Sequence, residues 1–318
     1  MSLSSDNKGT MKNSHPYLFA MFFCTLAWSA KAQQLPLFSQ YQSAYSLLNP
    51  AVMSGNFLKY ETTTEVSSLY RYQWTQIEGA PRTFLVNGTF FKEDYNFLIG
   101  ASMVQDQAGA LSNMGANVRA GYLIRFSGHS FMVLGLNGGF LQYKVDGNQL
   151  KFNDPDDNVN VSLARFSPDF SFGATYYYQT RSKNYFYVGL SVPQTFGFNL
   201  QFRNDQHGID IQRVRHYYGL LGSAFALRDN SWLEISSWVK YVENTLLHLD
   251  LNLRMEYRQI LWFGLGGSSA GAVHLEVGTF IDVGNYHFLQ IGYGYDHFLQ
   301  TYGPNFGGGH EINIGFSY

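Results

Sequence analysis

The chain has 318 residues, 45% of them hydrophobic, 17% aromatic and only 14% charged, against about 25% charged in an ordinary soluble domain. Its formal net charge is -2 with no basic block, which argues against nucleic acid as a partner. The 32 Gly, 23 Tyr and 27 Phe beside 8 Pro suit strands and tight turns better than helices.

The N-terminus reads as an export signal over residues 1–32. Lys12 supplies a basic start, Tyr17 to Trp28 form an apolar run, and Ala30-Lys31-Ala32 makes a small-x-small cleavage site ahead of Gln33. Either Met1 or Met11 suits as the start of such a signal. The alternative is an anchor helix, but the run falls short of the ~20 residues a span needs. Cys24, the sole cysteine, lies inside this signal, so the mature chain is expected to lack disulfides, cysteine metal ligands and cysteine nucleophiles.

Residues 33–59 form a lead that is neither a good strand nor a signal remnant, expected on the periplasmic side. From Tyr60 onward the chain alternates. Tyr60, Thr62, Thr64, Val66, Ser68, Tyr70, Tyr72 and Trp74 share one face, with Glu61, Glu65, Arg71 and Gln73 between them. The same period of two governs Met114 to Phe126, where Arg119 and Arg125 take the polar face. It returns from Leu247 to Tyr257, with leucines opposite His248, Asp250, Arg254 and Glu256, and from Val273 to Ile281, with His274 and Glu276 inward. At about 100° per residue a helix would scatter both sets, whereas a strand gives each its own face. Weaker alternation recurs near 83–92, 96–105, 130–143, 166–178, 185–192, 213–227, 231–241, 260–266, 286–296 and 310–318. About 14 strands result, spanning 60–318 as one all-β domain.

Compact turns at residues 92–94, 127–129, 228–230 and 283–285 fall at every second junction, and long connections at 146–165, 193–212 and 299–309 fall between them. Outer-membrane barrels show this asymmetry, with short periplasmic turns and longer outer loops. Polar faces rich in Gly, Ser, Asn and Tyr, aromatics near strand ends, and a final alternating strand ending on Tyr318 separate this pattern from a soluble sandwich. Strands of about eleven residues tilted near 40° would rise ~28 Å, enough for the apolar band. The expected fold is a transmembrane antiparallel up-and-down β-barrel with its apolar face to lipid and its charges in the lumen.

Chemical motifs are sparse. Gly267 to Gly271, GSSAG, fits G-x-S-x-G, but it joins two strand-like segments with no helix to follow, and a glycine turn accounts for it better. Asn153 to Asn158, NDPDDN, offers hard oxygen ligands for Ca²⁺ without the spacing of a known calcium loop. His274 and Glu276 lack an identifiable third metal ligand. No cofactor and no catalytic constellation is expected.

Phe38-Ser39-Gln40-Tyr41 followed by Leu48-Asn49-Pro50-Ala51 resembles the N-terminal signature of the PorP/SprF family of the Bacteroidota type IX secretion system. The resemblance runs on through YRYQW (Tyr70 to Trp74), where relatives tend to carry Asn at the position of Tyr72. GAPRTF (79–84), QDQAGALS (105–112), GFLQYKVDGNQLKFNDPDD (139–157) and YVGLSVPQTF (187–196) continue it. It implies a non-enzymatic outer-membrane barrel that works with secretion or gliding machinery. Its implied partners are periplasmic ring components similar to PorK and PorN, a peptidoglycan-binding PorE-like protein, and a secreted surface protein with a type-B C-terminal sorting domain. Phe38, Ser39, Gln40, Tyr41, Asn49, Pro50, Arg71, Gln73 and Trp74 match its motifs and are candidates for partner contact. The competing reading is that the same lead plugs or seals the periplasmic mouth of the barrel. A passive solute channel is the alternative function, and a hydrolase resting on GSSAG a third.

Overall fold

The computed structural model describes residues 38–147, 163–195, 199–203, 208–212, 215–243, 247–285, 287–299 and 303–318. Its strands are β1 (Thr64–Gln73), β2 (Arg82–Lys92), β3 (Phe97–Ala108), β4 (Leu111–Ser127), β5 (Ser130–Val145), β6 (Leu163–Gln179), β7 (Tyr185–Val192), β8 (Asn199–Arg203) and β9 (Gly208–Gln212). They continue as β10 (His216–Ala226), β11 (Trp232–Val242), β12 (His248–Tyr257), β13 (Leu261–Ser268), β14 (Ala272–Gly284), β15 (His287–Phe298) and β16 (Gly309–Ser317). Fourteen of these close into one antiparallel barrel, with β8 and β9 apart as a two-stranded hairpin. Closure is made by β1 against β16, from Glu65 opposite Ser317 to Gln73 opposite Gly309. Closure leaves no edge strand in the barrel, as hydrocarbon requires.

The pleat sorts the side chains. In β12, Leu249, Leu251, Leu253 and Tyr257 face outward while His248, Asp250, Arg254 and Glu256 are buried; Leu251 is 55% exposed and Asp250 only 1%. An outward arginine at the bilayer midplane would cost ~2–4 kcal/mol, so the charges go inward. Connections at the end where β1 begins and β16 finishes span at most five residues, and every longer one lies at the opposite end.

Three features differ from the expectation. The first strand begins at Thr64, not Tyr60, because Gly55–Tyr60 form a short helix (α2) capped by the Ser54 side chain and stopped by Glu61 in the left-handed region, φ 57°. The β8–β9 hairpin rises from the connection expected as one long loop. Most consequentially, the lead does not hang below the barrel: its residues 38–59, with Tyr60 after them, lie inside it, nearer to the competing reading of a plug. Tyr41–Leu48 form a helix (α1) with Tyr41, Ala44, Tyr45 and Leu48 at helical spacing and buried. It ends at Asn49, held extended by the proline that follows.

Leu251→Arg should lower barrel stability by ~2–4 kcal/mol, read as a shift of the urea midpoint in lipid vesicles, whereas Leu251→Phe should leave the midpoint nearly unchanged.

Candidate functional site

The lead enters the described structure in the half of the lumen nearer the long connections. Phe38 fills a socket of Leu69, Leu85 and Val104 on β1, β2 and β3, shared with Ala44 and Leu47 of α1. Beside it Arg71 (β1) pairs with Asp296 (β15) and, at 3.1 Å, with Glu311 (β16). Glu311 also accepts the backbone N–H of Ser39 at 3.0 Å and of Gln40 at 2.7 Å, just ahead of α1, where a carboxylate suits the positive end of a helix. The Ser39 hydroxyl donates to Asp296 at 2.5 Å and accepts from Arg71 at 2.6 Å. Tyr41 donates to Asp250 at 2.5 Å and lies against Trp238, while Lys240 bonds both Asp250 (2.8 Å) and the Tyr41 oxygen (3.1 Å).

Midway down, the Asn49-Pro50 turn presses on a wall made bare by glycine. A Cβ at Gly135 would overlap the Pro50 carbonyl, and one at Gly173 would overlap the Asn49 side chain. Asn49 donates to Thr175 at 3.2 Å and accepts from the Ala51 N–H at 2.9 Å, closing an Asx turn. Ser191 bonds the Leu48 carbonyl at 2.8 Å, Arg119 the Val52 carbonyl at 3.2 Å, and the Tyr177 hydroxyl accepts the Met53 N–H at 2.9 Å.

At the tight-turn end Lys59 of α2 sits 2.8 Å from both Glu234 and Glu256, and Tyr60 donates to Glu256 at 2.7 Å. Burial opposes the Lys59 charge, but the two carboxylates outweigh it and raise its pKa above the ordinary lysine value. Arg254 bridges Glu256 at 3.1 Å and Glu276 at 3.6 Å and stacks on Trp262. His274 lies 2.5 Å from Asn252.

Arg119, His248, Asp250, Arg254, Glu256, His274 and Glu276 thus point into the lumen. Arg125 keeps their parity but lies at the tight-turn rim, just ahead of a bulge, half exposed and 3.0 Å from Glu93 of the β2–β3 turn, so it belongs to the rim and not to the lumen. Phe38, Ser39, Gln40, Tyr41, Asn49, Pro50 and Arg71 are enclosed where the lead meets the wall. Gln73 and Trp74 lie half-buried at the opposite rim, where the Trp74 N–H meets the Gly308 carbonyl at 3.0 Å and its ring meets Phe298 and Phe306. Sequence reasoning passed over Lys59, Glu234, Lys240, Asp296 and Glu311; each is a charge within an otherwise apolar-polar alternation or at a helix end, and that was the available signal.

GSSAG forms the β13–β14 turn. Ser268 and Asp250 both approach the same His248 nitrogen, Nε2, at 3.1 and 2.9 Å; a relay needs them on opposite nitrogens. Among the described residues no group of three or more His, Cys, Asp or Glu could hold a metal ion. The Asn153–Asn158 segment lies outside the described residues.

A closed barrel with an apolar outer belt, tight turns at one end and a lumen filled by its own N-terminal segment defines an outer-membrane β-barrel protein. Two solved structures are similar in fold: the Ralstonia pickettii toluene transporter TbuX (TM-score 0.52, 9% identity, 86% of this chain and 92% of that one) and the CymD monoaromatic hydrocarbon channel (0.52, 10%, 85% and 93%). A search of curated protein sequences finds no match. The family described as type IX secretion system membrane protein PorP/SprF matches residues 30–316, and the chain belongs to it.

Arg71→Met would strand two buried carboxylates and should cost ~3–5 kcal/mol, measured as loss of the heat-modifiable folded band and a lower urea midpoint.

Proposed function

We propose that this protein is a non-conducting, non-enzymatic barrel of the type IX system that binds a secreted surface protein bearing a C-terminal sorting domain and exports it or anchors it at the cell surface. One observation supports this above all: the lumen is occupied from Phe38 to Tyr60 by a segment bonded to the wall at three levels. A filled lumen transfers the work to the two mouths. The barrel end from which the connections at 146–165, 193–212 and 299–309 leave would receive the surface protein. The tight-turn face would meet periplasmic components similar to PorK, PorN and PorE.

A passive channel is the second reading, favoured by what the TbuX and CymD structures are named for. The readings part in planar bilayers and in cells. The anchor stays silent at the single-channel level, and deleting its gene leaves one surface protein unattached or unexported. Steady conductance from the intact chain, or normal display of every such protein, would defeat it. Ser268→Ala and Ser269→Ala should leave display unchanged, as a non-enzymatic role requires.

A further inference from the structure

The tight-turn mouth is not electrically uniform. Three turns that neighbour one another around the barrel, β6–β7, β10–β11 and β12–β13, carry Arg181, Lys183, Arg228 and Arg258, all exposed. Arg258 is matched by Asp229 at 3.3 Å; Arg181, Lys183 and Arg228 have no ion-pair partner among the described residues. Across the rim the charges close on themselves, Lys92 with Asp94 at 3.0 Å and Arg125 with Glu93 at 3.0 Å. One sector therefore presents unspent positive charge and the opposite one does not.

That sector borders a cavity of about 250 Å³. Water occupies about 30 Å³ per molecule, so the space takes one or two side chains but not a bulky cofactor. Tyr60, Trp232 and Phe288 give it apolar walls, Lys183 and Asn230 reach it from the turns, and Glu61 is its one carboxylate. The cavity floor is the end of the lead itself, at Lys59 and Tyr60, inside the ring of turns. A ligand reaches it along the barrel axis from water, not sideways from the bilayer.

We propose that this basic sector and its cavity form a docking site for an acidic segment of a periplasmic protein. Its carboxylates meet Arg181, Lys183 and Arg228, and an apolar side chain enters between Trp232 and Phe288. The inference rests on the outer-membrane orientation of the barrel and not on cargo binding at the other mouth, so either can fail alone.

The probe is a fluorescent peptide of ten glutamates interrupted by a central leucine, titrated by anisotropy onto the full chain in phosphatidylcholine nanodiscs. Binding should weaken with salt as screened charges do. Arg181→Gln/Lys183→Gln/Arg228→Gln should lose about tenfold or more in affinity, with the heat-modifiable folded band unchanged. Lys92→Gln/Arg125→Gln should stay within about twofold. Replacing the leucine by serine should also weaken binding. Absence of binding, equal loss in both charge variants, or indifference to the leucine would overturn the site. Displacement of the peptide by a small fraction of phosphatidylglycerol would assign the cations to lipid and overturn it equally.

Discussion

One guanidinium stands where the barrel closes and where its filling begins. Arg71 and Glu311 are direct cross-strand partners on the first and last strands, and Asp296 on the neighbouring strand completes the cluster. Glu311 in turn holds the two backbone N–H groups that lead into α1. Seam and lead therefore share one electrostatic cluster. Removing the lead would leave Glu311 short of two donors, and opening the seam would part Arg71 from a carboxylate. In a low-dielectric interior neither loss is small, which makes the lead part of the barrel's fold and not an attachment to it.

The same economy of charge runs through the lumen. Hydrocarbon outside forces charged groups inward, and burial then demands a partner for each. The wall meets part of the demand, as in Arg254 with Glu256 and Glu276, and the lead meets more through Lys59, Tyr60 and Tyr41. Mixed signs at short range leave no single-sign path along the axis, unlike a selective pore. The two mouths differ: short, partly basic turns at one, long connections and the β8–β9 hairpin at the other.

The strands were readable because a lipid-facing wall writes its period of two in every spanning segment. The leucines of β12 and the inward Asp250 and Glu256 follow from alternation alone. The place of the lead was not readable, for a physical reason. YQSAYSLL carries a helical stripe, yet two turns of helix are marginal without tertiary support. That support comes from far along the chain: Tyr41 bonds Asp250 across 209 residues and Lys59 bonds Glu256 across 197. Family resemblance singled out Phe38 to Tyr41 and Asn49-Pro50 without saying whether they meet a partner or the barrel's own wall. Gly135 and Gly173 settle that for Asn49-Pro50, since their missing side chains are the space the turn fills.

Register explains why the interior is ionic and not simply apolar. One row of directly opposed residues runs Glu234, Arg254, Gly264, Glu276, Gly294, Glu311, Arg71, Thr83, Asp106, crossing nine consecutive strands from β11 through the seam to β3. Gly264 leaves room for Glu276 to lean towards Arg254, which a Cβ there would block. A one-residue slip of β11, β12, β14, β16, β1 or β3 would turn a charge of this row into lipid. A two-residue slip would keep the faces but set charges opposite the wrong neighbours. An apolar lumen would tolerate the second error, whereas this row penalises both, so the girdle selects the register that also brings Arg71 to Glu311 and closes the barrel on its lead.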